Sequence, residues 1–124
     1  MFDWGDYLVH ADRVAQRWAD EAAKRSAISR AYYAVYHRAS RYVRANGLVL
    51  ASTKLRHQDV WRVIRSSDDL RRQDVGNRGD ALKVVRIRAD YDNPFPQDLE
   101  HATRDALLEA RELIILIDRL SPPR

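Results

Sequence analysis

Apolar residues recur at three- and four-residue steps along most of this chain, and strand-like alternation is nearly absent. That spacing stacks them on one side of a helix and predicts an all-α fold. The first helix is expected from near Asp3 to Ala23, capped by Asp3, with Trp4, Leu8, Ala11, Ala15, Trp18 and Ala22 as its buried side. A second is expected from about Arg25 to Ala45, ending at the helix-stop pair Asn46-Gly47. Leu48 to Arg56 reads as a connection. A short helix then spans about His57 to Arg65, with Val60, Trp61 and Ile64 on its apolar side. Ser66 to Asp69 is a break with capping residues. Val75 to Asp80, containing Gly76 and Gly79, reads as an interruption, which leaves a fourth helix from Ala81 to about Asp90. Asp92 to Pro96 is a turn, with Pro96 suited to the first position of a last helix from about Gln97 to Leu120. Leu99, Ala102, Ala106, Ala110, Leu113, Ile117 and Leu120 line one face of that helix. Its run Leu113 to Ile117 is apolar almost all round, which predicts burial on several sides. No internal repeat or second hydrophobic unit is visible. Residues 1–120 are therefore expected to form one antiparallel up-and-down bundle of four to five helices, and residues 121–124 a frayed tail.

Turning the second helix at about 100° per residue separates two faces. Ile28, Ala31, Tyr32, Val35, Tyr36, Ala39, Tyr42 and Val43 form a core face. Arg30, Tyr33, Ala34, His37, Ser40, Arg41 and Arg44 form the other. This face holds no acid, so ion pairing within the helix does not account for the arginines. It fits a solvated surface, a phosphate ribbon with Tyr33 as a stacking partner for a base, or a subunit interface.

Composition narrows the chemistry. The chain has 124 residues and no cysteine, so thiol nucleophiles, disulfides and cysteine-ligated zinc are excluded. The net charge is +4 with a pI of about 9.7. Lys24, Lys54 and Lys83 are the only lysines, so arginine carries nearly all the positive charge. Arginine suits bidentate phosphate contacts, although an overall compositional bias accounts for it equally well. The apolar run Leu113 to Ile117 falls far short of the ~20 residues of a membrane span, and residues 1–6 lack a signal-peptide layout. A soluble, cytoplasmic protein without membrane contact is expected. The four histidines lack metal-ligand spacing, and Gly76 and Gly79 are not followed by the lysine and serine or threonine of a phosphate loop. No metal and no cofactor is expected.

Three segments resemble the HEPN-domain family of small helical bundles. Ser26 to His37 is similar to that family's second helix. Lys54-Leu55-Arg56-His57 resembles its lysine-and-histidine lead-in to the next helix. Arg86-Ile87-Arg88-Ala89-Asp90-Tyr91-Asp92 is similar to its arginine-then-Ala-Asp-Tyr signature before the last helix. Together they span roughly residues 25–118. The resemblance implies a homodimer and a link to RNA or nucleotide in a prokaryotic toxin–antitoxin or defence system. Many members are metal-independent endoribonucleases with active sites where two subunits meet. Others are non-catalytic subunits that partner a nucleotidyltransferase-type antitoxin or another protein.

Active members carry an arginine followed after four to six residues by a histidine. Arg30 and His37, with six residues between them, are the pair that fits here. An imidazole can move the 2′-hydroxyl or leaving-group proton, and an arginine can stabilise the charge building on phosphorus. Arg30 and His37 are thus the candidate catalytic pair, with a surface or interface role as the alternative. Tyr33, Arg41, Arg44 and Arg86 are candidate RNA or phosphate ligands. Asp90, one turn after Arg86, is a candidate clamp for it, and Tyr91 is expected to pack between the last two helices. His57, at the start of its helix, is expected either to pack over the helix end or to lie on the surface.

Overall fold

The computed structural model describes residues 4–17 (backbone only from residue 12), 21–49, 54–96 and 98–120. All regular structure among them is helical: α1 (Trp4–Arg17), α2 (Glu21–Ala45), α3 (His57–Arg65), α4 (Leu70–Tyr91) and α5 (Leu99–Leu120). They pack as a helical bundle around α2, which touches each of the other four helices. No helix among the described residues is long and apolar enough to cross a membrane. The expected cap Asp3, the indole of Trp18 and the tail 121–124 lie outside the described residues.

The central place of α2 follows from its composition. Ala27, Ala31, Ala34 and Ala39 are fully buried and let neighbouring helices approach closely, while Ile28, Tyr32, Val35 and Val43 fill the spaces between them. The expected core face is buried throughout. The opposite face is only partly open, because Ala34 is fully buried there and α1 covers part of it. The helix stops as expected. Gly47 takes a φ of 66°, its N–H donates to the Arg44 carbonyl, and the Leu48 N–H donates to the Val43 carbonyl. A left-handed glycine closing two carbonyls in this way ends a helix without leaving acceptors unsatisfied.

Two expectations about α4 are corrected. It begins at Leu70, where Asp69 accepts a hydrogen bond from the Arg71 N–H at 2.8 Å, and it runs unbroken through Gly76 and Gly79. Those glycines are not interruptions. A Cβ on Gly76 would lie 2.5 Å from the Arg65 backbone nitrogen, and one on Gly79 would overlap the six-membered ring of Trp61. They are the places where α3 presses onto α4, and that contact overrides their weak helix propensity.

Differences at the other ends are smaller. Ala22 and Ala23 belong to α2 rather than to α1. Pro96 precedes α5, and Asp98 caps that helix by accepting from the Glu100 and His101 N–H groups. Leu113 and Ile117 are buried, but Ile115 is 50% exposed, so the apolar run is open on one side. The C-terminal end of α4 is held by Arg25 of α2, whose Nη1 donates to the carbonyls of Ala89 at 3.0 Å and Asp92 at 2.6 Å. A cation on the terminal carbonyls is the favourable polarity for a helix end.

Gly79→Ala is expected to lower stability by about 1–3 kcal/mol through overpacking against Trp61, despite the better helix propensity of alanine. Urea unfolding of the two proteins measures this. Equal or raised stability would show that the α3–α4 contact is not tight.

Candidate functional site

Beside α2 the chain gathers rings and cations from four helices. His37 of α2 stacks on Trp4 of α1, with centroids 3.7 Å apart and planes 13° from parallel. His57, the first residue of α3, lies flat on Tyr36 at 3.9 Å and 9°. Tyr33 stands edge-on to His57 at 5.5 Å and lies 6.2 Å from His37. Arg86 reaches in from α4, its guanidinium carbon 5.3 Å from the Tyr32 ring centre and 5.5 Å from that of Tyr33. A cation over tyrosine faces is attracted to the ring electrons, the more so when water is partly excluded.

Hydrogen bonds fix one side of this cluster. Trp61 is fully buried, and its Nε1–H donates to the Tyr32 hydroxyl oxygen at 3.0 Å. The same hydroxyl lies 3.0 Å from His57 Nδ1. Burial pushes the Tyr32 hydroxyl well above its ordinary range; the Trp61 hydrogen bond and the Arg86 charge oppose this without cancelling it. Tyr32 is therefore a neutral phenol. Burial also raises the Tyr36 phenol, against the pull of Arg44.

Both imidazoles are shifted downward. For His37 the cause is burial; for His57 it is burial first, then the charges of Arg86, His37 and Lys83. Both are thus favoured as neutral rings near pH 7. Neither nitrogen of His37 has a hydrogen-bond partner among the described residues, and neither is sealed from solvent. Nη1 of Arg86 bonds Asp90 at 3.3 Å, whereas its Nε is buried without a partner among the described residues. A buried donor left unpaired costs about 1–3 kcal/mol, and such a group marks a place where a ligand or water can complete the bonding.

The expected site residues divide accordingly. His37, Tyr33 and Arg86 come together, and Asp90 clamps Arg86. Arg30 has no hydrogen bond or ion pair among the described residues, and its backbone sits about 10 Å along the helix axis from that of His37. Arg44 is exposed near Tyr36. Arg41 turns toward α5, where it lines a recess with Arg38 and Asp118. Tyr91 is 75% exposed, so it does not pack between the last two helices; α4 ends beside it with the side chain outward. The sequence left His57 undecided between a helix-end packing role and the surface, and it gave no sign of Trp4 and Trp61 as site walls. The lead-in Lys54 to His57 was the one signal for His57.

No group of three His, Asp or Glu side chains able to hold a metal ion occurs among the described residues. A separate recess of about 440 Å³ lies between α4 and α5. Its cation, Arg78, is engaged by Asp74, Glu109 and Glu112, and Asp105 adds further acid, so it is poorly suited to phosphate. Comparison with protein-family models, with curated proteins and with solved structures gives no match.

The histidine shifts have a sign that can be checked. The folded state holds His37 and His57 protons more weakly than the unfolded chain, so their stabilisation is complete above about 6.5, the ordinary value. It is lost as pH falls through the lowered native values. Urea unfolding should therefore show lower stability at pH 5 than at pH 7, with a shallower slope in His57→Gln. Stability that rises on acidification would contradict the burial of these rings.

Proposed function

We propose that this chain is a HEPN-like antiparallel bundle of the toxin–antitoxin or defence type that binds RNA and cleaves it without a metal. The observation that carries this reading is the convergence of His37, His57 and Arg86, from three different helices, around Tyr33. Tyr33 can stack on a base. Arg86 and the exposed Arg44 can meet phosphates. Neutral His37 takes the proton from a ribose 2′-hydroxyl, whose oxygen attacks phosphorus. Arg86 neutralises the charge that builds on the phosphoryl oxygens. The 5′-oxygen leaves with a proton from the second His37 of a homodimer, which enters this step as the imidazolium, giving a 2′,3′-cyclic phosphate and a 5′-hydroxyl; the pair thus works when it holds one extra proton between its two rings. Arg86 takes the role expected of Arg30 because its charge reaches His57 and its guanidinium lies over Tyr33, the ring that borders His37, and Arg30 serves affinity.

RNA incubated with the protein and a chelator should yield fragments with cyclic phosphate ends. His37→Ala and Arg86→Lys should slow cleavage about 100-fold or more, with helical circular dichroism retained. Arg30→Ala should weaken binding and leave the cleavage rate within about tenfold. Binding should fall steeply with salt. Equal cleavage by wild type and His37→Ala would end the catalytic reading.

A second reading is favoured by α5, which leaves Leu108 at 56% and Ile115 at 50% exposed, seven residues apart on one stripe. There the chain is a non-catalytic subunit whose apolar stripe meets a nucleotidyltransferase-type partner or a second copy. A homodimer should scatter light at twice 14.5 kDa, and Leu108→Glu with Ile115→Glu should return it to the single mass. A wild-type monomer would remove the two-histidine mechanism.

A further inference from the structure

The hydrogen bonds around Tyr32 decide where the proton of His57 sits. The Trp61 indole N–H can only donate, so the Tyr32 oxygen accepts from it at 3.0 Å. Tyr32 is fully buried, and the other group among the described residues within hydrogen-bond reach of its hydroxyl is His57 Nδ1, at 3.0 Å. The phenolic proton must therefore point at Nδ1, which accepts it. A neutral imidazole accepting at Nδ1 carries its own proton on Nε2. Nε2 has no partner among the described residues and is not a sealed polar atom, so it meets solvent. The flat contact with Tyr36 fixes the plane of the ring.

The surroundings suit an anion at that N–H. Arg86 and Lys83 are close enough for their charges to act on the ring, as is His37. Lys83 shares its charge with Asp80 at 3.2 Å, and Arg86 with Asp90. The acid nearest in sequence, Asp59, is bound by both Arg56 and Arg62 and also caps α3 through the Arg56 N–H. Asp59 is thus engaged by its own arginines and by the Arg56 N–H.

We propose that His57 is a fixed Nε2–H donor to a phosphate oxygen, set by the Trp61–Tyr32–His57 chain of hydrogen bonds, and that proton transfer belongs to His37 alone. This inference builds on the phosphate-binding reading of the site. It assigns the two imidazoles different work: His57 cannot serve as a base, because its one basic nitrogen is already bonded to the Tyr32 proton. His37 has no such restraint.

Nitrogen-15 spectra of the imidazoles test the first half without any ligand. His57 should show the Nε2–H tautomer, and Tyr32→Phe should convert it to a mixture. An Nδ1–H tautomer in the wild type overturns the proposal. Titration with inorganic phosphate tests the second half. The His57 Nε2 signal should move on saturation, His57→Gln, which keeps a donor at that reach, should retain binding, and His57→Phe should weaken it about tenfold. No movement of the Nε2 signal, or equal phosphate binding by His57→Phe, overturns it. RNA is the separate arm: phosphate binding at His57 without RNA cleavage removes the ribonuclease reading and leaves the donor assignment standing.

Discussion

The seat of Trp61 on Gly79 is the contact on which the rest of the structure depends. An indole is too large to lie between two helices unless one of them lacks a side chain at the crossing, and α4 supplies that gap. Trp61 then sits fully buried with its N–H at the Tyr32 hydroxyl. That bond is required as well as permitted, because a buried indole N–H without an acceptor is destabilising. The phenol so held places its proton at His57, and the first turn of α3 is thereby registered against α2. One missing methyl group on α4 therefore determines how an imidazole two contacts away is oriented.

The cluster built on this seat is an unusual use of the edge of the core. Helical bundles of this size gain their stability from aliphatic packing, and most of the core here is aliphatic or alanine. Along the sides of α2 that α1, α3 and α4 cover, the chain instead places two half-buried histidines, a half-buried arginine and several aromatic rings. Burial disfavours charge on both histidines, and the Arg86 cation works in the same direction on His57. Arg86 is stabilised by tyrosine faces and by Asp90, yet keeps one buried donor unpaired. Arrangements that lower stability locally while tuning titratable groups are a mark of binding and catalytic sites more than of scaffolding.

Periodicity made most of the elements legible, because apolar spacing is a local property. α3 follows directly from it, and the stop at Gly47 follows from the Asn46-Gly47 pair. The misreading of Gly76 and Gly79 has a specific physical source. A glycine in a helix is weak in isolation, and only the partner that presses on it shows why it is there. The same limit applies to the site. Arg30 and His37 share a helix stripe and invite pairing by sequence distance alone. Arg86, forty-nine positions beyond His37, reaches His57 and the Tyr33 ring through tertiary packing that no local pattern encodes. Its clamp Asp90 was visible because the pair lies one turn apart. Tyr91 followed Asp90 in sequence but not in space, since adjacent helix residues point about 100° apart.

The polar face of α2, which the sequence leaves open between a solvated surface, a phosphate ribbon and a subunit interface, is in part a seam between helices. Ala34 lies sealed on it, His37 is covered on one side by Trp4, and Tyr33 is bracketed by His57 and Arg86. The arginines of that helix then separate by environment: Arg41 toward α5, Arg44 near Tyr36, Arg30 two turns from the imidazole. A helix stripe counted on a wheel treats these positions as equivalent, whereas the neighbours make them different. The strongest candidate for phosphate recognition lies where the stripe is least exposed. There a partly desolvated cation and a donor of fixed orientation act more strongly on an anion than arginines at an exposed surface.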